Sequence, residues 1–314
     1  KVTFAGNTIT GKNISEQVQN ESSIINIAGE VAGGKGMAMG LSLAYNSLNN
    51  TTGTYLQGND VTLQGEDNSV KLAATTTGKT LAVAGGMNVN ISQSVVGAVG
   101  TVAINRGVSN TESVIDGKTT GENSKLDNVK ELSVTAAEMT KKTTVAGSVS
   151  VGGKKVGVGG AVAYTAVGSS GNKERLRAEI NHADITTTEA GRIEVSTTDS
   201  RKNGNNELEK SRVITVGAGF GVSWGKNFFN LQGGAAVSDI YKDSFAAMNN
   251  TNINAGKESY HPAINVTADT RSKINTVGVG GSVDIGSQVK GAAGVAINRM
   301  YQNTKAEMAT ESGT

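Results

Sequence analysis

The sequence predicts an all-β fold, a parallel and right-handed β-helix solenoid, and three observations carry that expectation. The first is an internal repeat near 60 residues, the second is glycine without proline, and the third is a period-two pattern with no helical period. The repeat shows in a strand-like segment ending in a polar residue. It reads Leu43-Ala44-Tyr45-Asn46, Val102-Ala103-Ile104-Asn105, Val162-Ala163-Tyr164-Thr165, Ala236-Val237-Ser238-Asp239 and Val295-Ala296-Ile297-Asn298, at steps of 59, 60, 74 and 59. A second, alternating segment starts at Val70, Leu132, Ile193 and Ile264, at steps of 62, 61 and 71. Both series contain one long interval, and the two long intervals overlap at about residues 197–235.

Glycine supplies 42 of 314 residues and proline one, Pro262. A disordered glycine-rich chain usually carries proline as well, and a collagen needs glycine at every third place. Val, Ile and Thr fill the segments between, and these favour strands. Aromatic residues make up 4%, with one tryptophan, Trp224, so the core must be built from rows of Val, Ile, Leu and Ala. Glycine inside a strand weakens it unless backbone packs closely or bends there. Its recurrence at matching points of the repeat predicts such a need.

Each unit reads in one order. A Gly/Val strand comes first, then a short turn such as Gly152-Gly153-Lys154-Lys155, then a second Gly/Val strand leading to the polar residue. A short strand such as Ala178-Glu179-Ile180 and the alternating strand close the unit. Alternation with period two means one buried and one exposed face. The units run approximately 22–80, 81–140, 141–210, 211–270 and 271–314, the last incomplete. Sixty residues divide into about three coils of about 20, and about 15 coils would make a rod on the order of 70 Å long. The rival arrangement is an antiparallel hairpin with its turn at Gly152–Lys155. The recurrent Asn46, Asn105, Thr165, Asp239 and Asn298 would form either an interrupted ladder or a column of turn residues. Both termini fall mid-unit and lack a polar cap, so the expectation is one solenoid segment, residues 1–314, of a longer protein.

The chemistry-bearing residues are sparse. There is no cysteine, which excludes disulfides and thiolate sites. Twenty-nine basic and 27 acidic residues leave a net charge of +2, no basis for binding nucleic acid. Mean hydropathy is −0.23, and no apolar run reaches the length of a transmembrane helix. His182 and His261 stand 79 residues apart in no metal-binding spacing, so no metal or cofactor is expected. Gly78-Lys79-Thr80 lacks the first glycine of a phosphate loop, because residue 73 is Ala. Gly157-Val158-Gly159 and Gly278-Val279-Gly280 lack the third glycine of a dinucleotide motif, Val162 and Val283 standing there. The acidic residues read as scattered through loops, with Glu179 and Glu194 on strands, so no catalytic pair is expected and the chain does not read as an enzyme. The charged stretches Lys173–Arg177 and Glu207–Arg212 read as solvated loops. The long unit is the main departure from regularity. Trp224, Phe228, Phe229, Tyr260 and His261 form the candidate binding patch, because insertions in repeat proteins map to loops on one face.

Two stretches resemble a known family. Val156-Gly157-Val158-Gly159-Gly160-Ala161-Val162-Ala163, and Val277-Gly278-Val279-Gly280-Gly281 leading to Gly294-Val295-Ala296-Ile297-Asn298, are similar to the repeats of leukotoxin-type filamentous adhesins. These are large exported proteins of Gram-negative anaerobes, similar in style to filamentous haemagglutinins and autotransporter passengers. The resemblance covers essentially the whole chain and brings no functional motif residue with it. It implies a surface-exposed or secreted β-helical stalk that crosses the outer membrane through a β-barrel translocator. It further implies attachment to a host-cell or bacterial surface receptor, protein or glycan. A secreted leukotoxin-type cytotoxin is the alternative, and a polysaccharide-active β-helical enzyme the third.

Overall fold

The computed structural model describes residues 1–90, 96–118, 121–152, 156–202, 208–224, 229–255, 261–285 and 289–309. Among them there is no helix. The first strands are β1 (Val2–Ala5), β2 (Thr8–Gly11), β3 (Asn13–Gly33), β4 (Met37–Gln57), β5 (Asp60–Leu63) and β6 (Ser69–Asn90). The middle of the chain holds β7 (Val96–Asp116), β8 (Ser124–Gly152), β9 (Val156–Val167), β10 (Glu174–Thr198), β11 (Ser200–Lys202) and β12 (Leu208–Lys210). The last are β13 (Arg212–Trp224), β14 (Phe229–Ala255), β15 (Ala263–Asp269), β16 (Lys273–Ile285) and β17 (Val289–Ala309).

Fifteen strands form one sheet whose pairings are parallel, as expected of a β-helix. Met37 lies beside Val96, Val96 beside Val156, Val156 beside Phe229 and Phe229 beside Val289, at steps of 59, 60, 73 and 60 residues. One unit is therefore one coil. The three coils per unit expected from the sequence do not form, and neither does a rod of about 15 coils. The reason lies in strand length: β4, β7 and β17 each run 21 residues and cross a corner without breaking, where a 20-residue coil would turn every six or seven. The stack is five strands deep, about 24 Å at the usual strand spacing.

Each coil has two parts. The body is a three-walled prism. Its first wall runs through Thr54–Gln57, Asn110–Ile115, Arg175–Ile180 and Asp243–Met248. Its second holds β2, β5 and the segments they pair with in β8 and β10. Its third holds the starts of β3 and β6, the middle of β8, the end of β10 and β15. Leu56, Leu72, Ile115, Leu126, Leu132, Ile180 and Ile193 fill the prism and are fully buried. Corners require the left-handed backbone region: Gly58, His182 and Asn250 take φ of 61°, 50° and 48° where the first wall meets the second. Asn59 ties two coils there, its side-chain carbonyl accepting from Asn7 N at 3.0 Å.

The arm is a flat pair of facing sheets projecting from the body. One sheet takes the ends of β3, β6 and β8 with β13 and β16. The other takes β4, β7, β9, β14 and β17 in their arm portions. β8 and β9 lie in opposite sheets and are not hydrogen-bonded to each other, so the antiparallel hairpin does not form. Among the described residues the one antiparallel pair is β11–β12. It fills the long unit: Thr198 stands beside Ala137 at a step of 61, Arg212 beside Lys141 at a step of 71. Backbone pairing of Ser211 N with Asp199 O at 3.1 Å closes its neck.

Candidate contact surface

The arm inverts the usual rule of burial. Its interior is Ala44, Ala82, Ala84, Ala103, Ala146, Ala161 and Ala163, continued by glycines and by buried polar side chains, among them Asn88, Ser148, Asn230 and Gln232. A Cβ on Gly217 would stand 2.1 Å from Ala235 O, and one on Gly278 would stand 1.9 Å from Val295 O. The two sheets meet backbone to backbone, and only glycine fits. At the base of the arm a hydroxyl ladder crosses between sheets. Thr144 and Thr165 lie 2.6 Å apart, Thr215 donates to Thr165 at 2.7 Å, and Ser238 lies 2.7 Å from both Thr215 and Thr276. Asn298 accepts from Thr276. Asn46 and Asn105 extend the ladder by donating to Leu81 O and Thr143 O. In this ladder the fourth unit contributes Ser238, which the register sets beside Thr165 and Asn298, and not Asp239.

The large apolar side chains point outward. On the β13 sheet one outer row runs Ile27, Val83, Val145, Val216, Val277. The next is Gly29, Gly85, Gly147, Ala218, Val279, and the next Val31, Met87, Val149, Phe220, Gly281. The other sheet repeats the arrangement, with Gly100, Gly160 and Gly233 between a row containing Val102 and Val162 and a row containing Val158 and Leu231. Val149, Val162, Phe220 and Leu231 are exposed. Gly29, Gly85 and Gly147 floor an open groove of about 510 Å³ walled by Val31, Met87 and Val149. These exposed apolar rows make the arm the candidate contact surface. The apolar face of the β14 sheet ends at the base in a polar belt. There Arg299 chelates Asp239 at 2.6 and 2.8 Å, Tyr164 donates to Asp239 at 3.1 Å, and the guanidinium of Arg106 sits 5.3 Å over the ring of Tyr45.

Of the five aromatic and histidine residues singled out in the sequence, the three that are described, Trp224, Phe229 and His261, do not all lie together. Trp224 ends β13 beside Ile285, and Phe229 opens β14, exposed, at the same outer end of the arm. His261 is exposed and precedes β15 in the body. The arm's length, about 40 Å for twelve residues, separates Phe229 from the body. Phe228 and Tyr260 lie outside the described residues. The sequence reading missed Phe220, Leu231 and the outer valines. Period-two alternation is the available signal, but alternation alone does not say which face is inward.

Charge is placed differently from expectation as well. The stretch Lys173–Arg177 belongs largely to β10, and Glu174 is buried, not solvated. Where arm meets body, Glu138, Glu174, Asp199, Lys142 and Lys242 are all buried. Lys242 Nζ lies 3.4 Å from Glu174, 3.5 Å from Glu138 and 3.9 Å from Asp199. Lys142 donates to Gly107 O at 3.0 Å. Desolvation, with Glu174 alongside, pushes the Glu138 carboxyl well up from its ordinary value. Burial likewise pulls the Lys142 ammonium down from its ordinary value. Asp199 also accepts from Ser272 Oγ at 2.7 Å, which fixes the neck of the β11–β12 insertion to the following coil. The adjoining cavity is about 10 Å³, which at most admits one water. The cluster serves as a buried joint with no room for a substrate. The described residues include no group of three or more His, Asp or Glu placed to hold a metal.

No protein family, curated protein or solved structure matches the chain.

Proposed function

We propose that this chain is a segment of a large bacterial surface-exposed or secreted adhesin, a right-handed coil stack forming part of a stalk that attaches to host or bacterial cells. The observation that carries this reading is the arm, whose two outer faces are apolar while its interior holds glycine, alanine and small or amide polar side chains. Such a blade gains nothing inside the chain from its outward valines and leaves them for a partner. The absence of cysteine fits export by threading through an outer-membrane β-barrel translocator. Binding of the fluorescently labelled chain to epithelial cells, leukocytes and Gram-negative anaerobes tests the reading. The expected result is saturable binding that Val149→Lys with Val162→Lys removes while circular dichroism stays unchanged. Saturable binding that survives both substitutions, or no binding to any of these cells, overturns it.

A secreted leukotoxin-type cytotoxin is the second reading. It is favoured by outward apolar and inward small or polar residues over nine residues of strand, about 30 Å, which resembles a lipid-facing strand pattern. Release of dye from phosphatidylcholine vesicles by the chain would favour this reading over the first.

A further inference from the structure

The outer glycines need an explanation from outside the chain. A Cβ on Gly217 or Gly278 meets backbone at about 2 Å, so those inner glycines are fixed by the fold itself. A Cβ built on Gly29, Gly85 or Gly147 meets nothing within 4 Å. Strand glycine lowers stability by about 0.5–1 kcal/mol against alanine. Nothing in the coil requires it at these three aligned positions, and a strand glycine open to solvent marks the close approach of another surface.

We propose that a second copy of this chain docks on the outer face of the β13 sheet, its bulky row seated in the glycine groove. The proposal rests on the reading of the arm as a contact surface and names its partner. Three features point to a second copy. The first is self-complementarity. A two-fold axis running along the rows, midway between the glycine row and the row of Met87, Val149 and Phe220, places each copy's bulky row over the other's glycine row. The two arms then point in opposite directions, which keeps the bodies apart. Such an interface is isologous. The second is spacing: both copies repeat along the stack at about 4.8 Å, so each side chain meets the same environment one coil on. The third is area. The face measures about 35 Å along the strands and about 24 Å along the stack, on the order of 800 Å² per partner, the size of a standard stable interface. The outward positions of these rows carry no charge, so no group is buried unpaired. Lipid is the poorer occupant, because the outermost arm strands β3, β4, β16 and β17 each present an unpaired backbone edge among the described residues, which hydrocarbon does not tolerate.

Sedimentation equilibrium of the whole chain from 1 to 100 μM, with two variants, tests this. Gly85→Leu with Gly147→Leu fills the groove from the solvent side, where the fold has room. Val162→Lys with Leu231→Lys alters the opposite face. The expected result is a reversible monomer–dimer equilibrium that weakens at least tenfold with the leucine pair and is unchanged by the lysine pair. Circular dichroism and thermal midpoint of all three should agree. A wild-type chain that stays monomeric at 100 μM overturns the proposal. So does a dimer that the leucine pair leaves intact, or flotation of the monomer with phosphatidylcholine vesicles in its place. Cell binding is scored separately: a dimer without cell binding removes only the attachment reading, and cell binding without a dimer removes only this proposal.

Discussion

The body and the arm are built from the same strands and stacked by the same register, yet they hold together differently. The body buries branched side chains, among them Leu126, Leu132, Leu176 and Ile185, against one another from three walls. The arm buries alanine methyls, bare backbone and hydrogen-bonded polar side chains such as Asn88 and Asn230 between two walls. Each buried Leu or Ile contributes about 1.5–3 kcal/mol of transfer free energy, and alanine far less. The body supplies most of the stability, and the arm depends on close backbone approach and on the hydroxyl ladder at its base. What the arm gives up in burial it presents as outward apolar surface. The joint between them is the buried charge cluster around Lys242.

The largest expected effect falls on that joint. Lys242→Met leaves Glu174 and Asp199 buried with one cation fewer, and urea denaturation should show a loss of about 4 kcal/mol. Next comes the body: Leu132→Ala should lose about 3 kcal/mol, because three walls prevent the cavity from collapsing. An arm interior change should lose less and act locally. Gly217→Ala drives a methyl against Ala235 O and should lose about 2 kcal/mol. In hydrogen exchange it should expose the amides of β13 and leave those near Leu132 protected. Equal loss of protection in both regions would contradict the division.

These contrasts also explain what could be read in advance. The repeat was legible because Ala44, Ala103, Ala163, Ala236 and Ala296 occupy one column of the structure, and a column must recur in sequence at the coil length. The coil count was not legible. Sixty residues close equally well as three short turns or as one long turn, and the choice depends on whether Gly217 and Gly278 permit two sheets to touch. The inner face of the arm was misjudged for a related reason. Alternation shows that Val145 and Ala146 face opposite ways but not which way is in. In the body the branched residue faces in, and in the arm the small one does. Of the aromatic patch, Phe229 and His261 stand at opposite ends of the arm's length, a separation that their places in the sequence do not reveal.

The smallest effect concerns Glu16, which stands in the body column otherwise held by Leu72, Val134, Val195 and Val266. Burial pushes its carboxyl up from 4.5 to about 7. Between those values the unfolded chain has released the proton and the folded chain retains it. Stability therefore falls as pH rises from about 4.5 to 7, then levels. Glu16→Gln should remove that slope and stabilise the chain at pH 7.5 by roughly 1 kcal/mol, measured from thermal midpoints. A slope unchanged in the variant would assign it to other groups.

Whether the chain meets its partners through the outward faces of the arm can be measured directly by thiol protection. The chain has no cysteine, so a single introduced thiol is a unique reporter. Val149→Cys on the arm and Lys125→Cys on the body, both at exposed positions, can be labelled with a maleimide in the dilute free chain and again after attachment to cells or self-association. Both thiols should react in the free chain; on attachment the thiol at 149 should become protected while the thiol at 125 stays reactive. Protection at 125 with continued reaction at 149 would contradict contact through the arm.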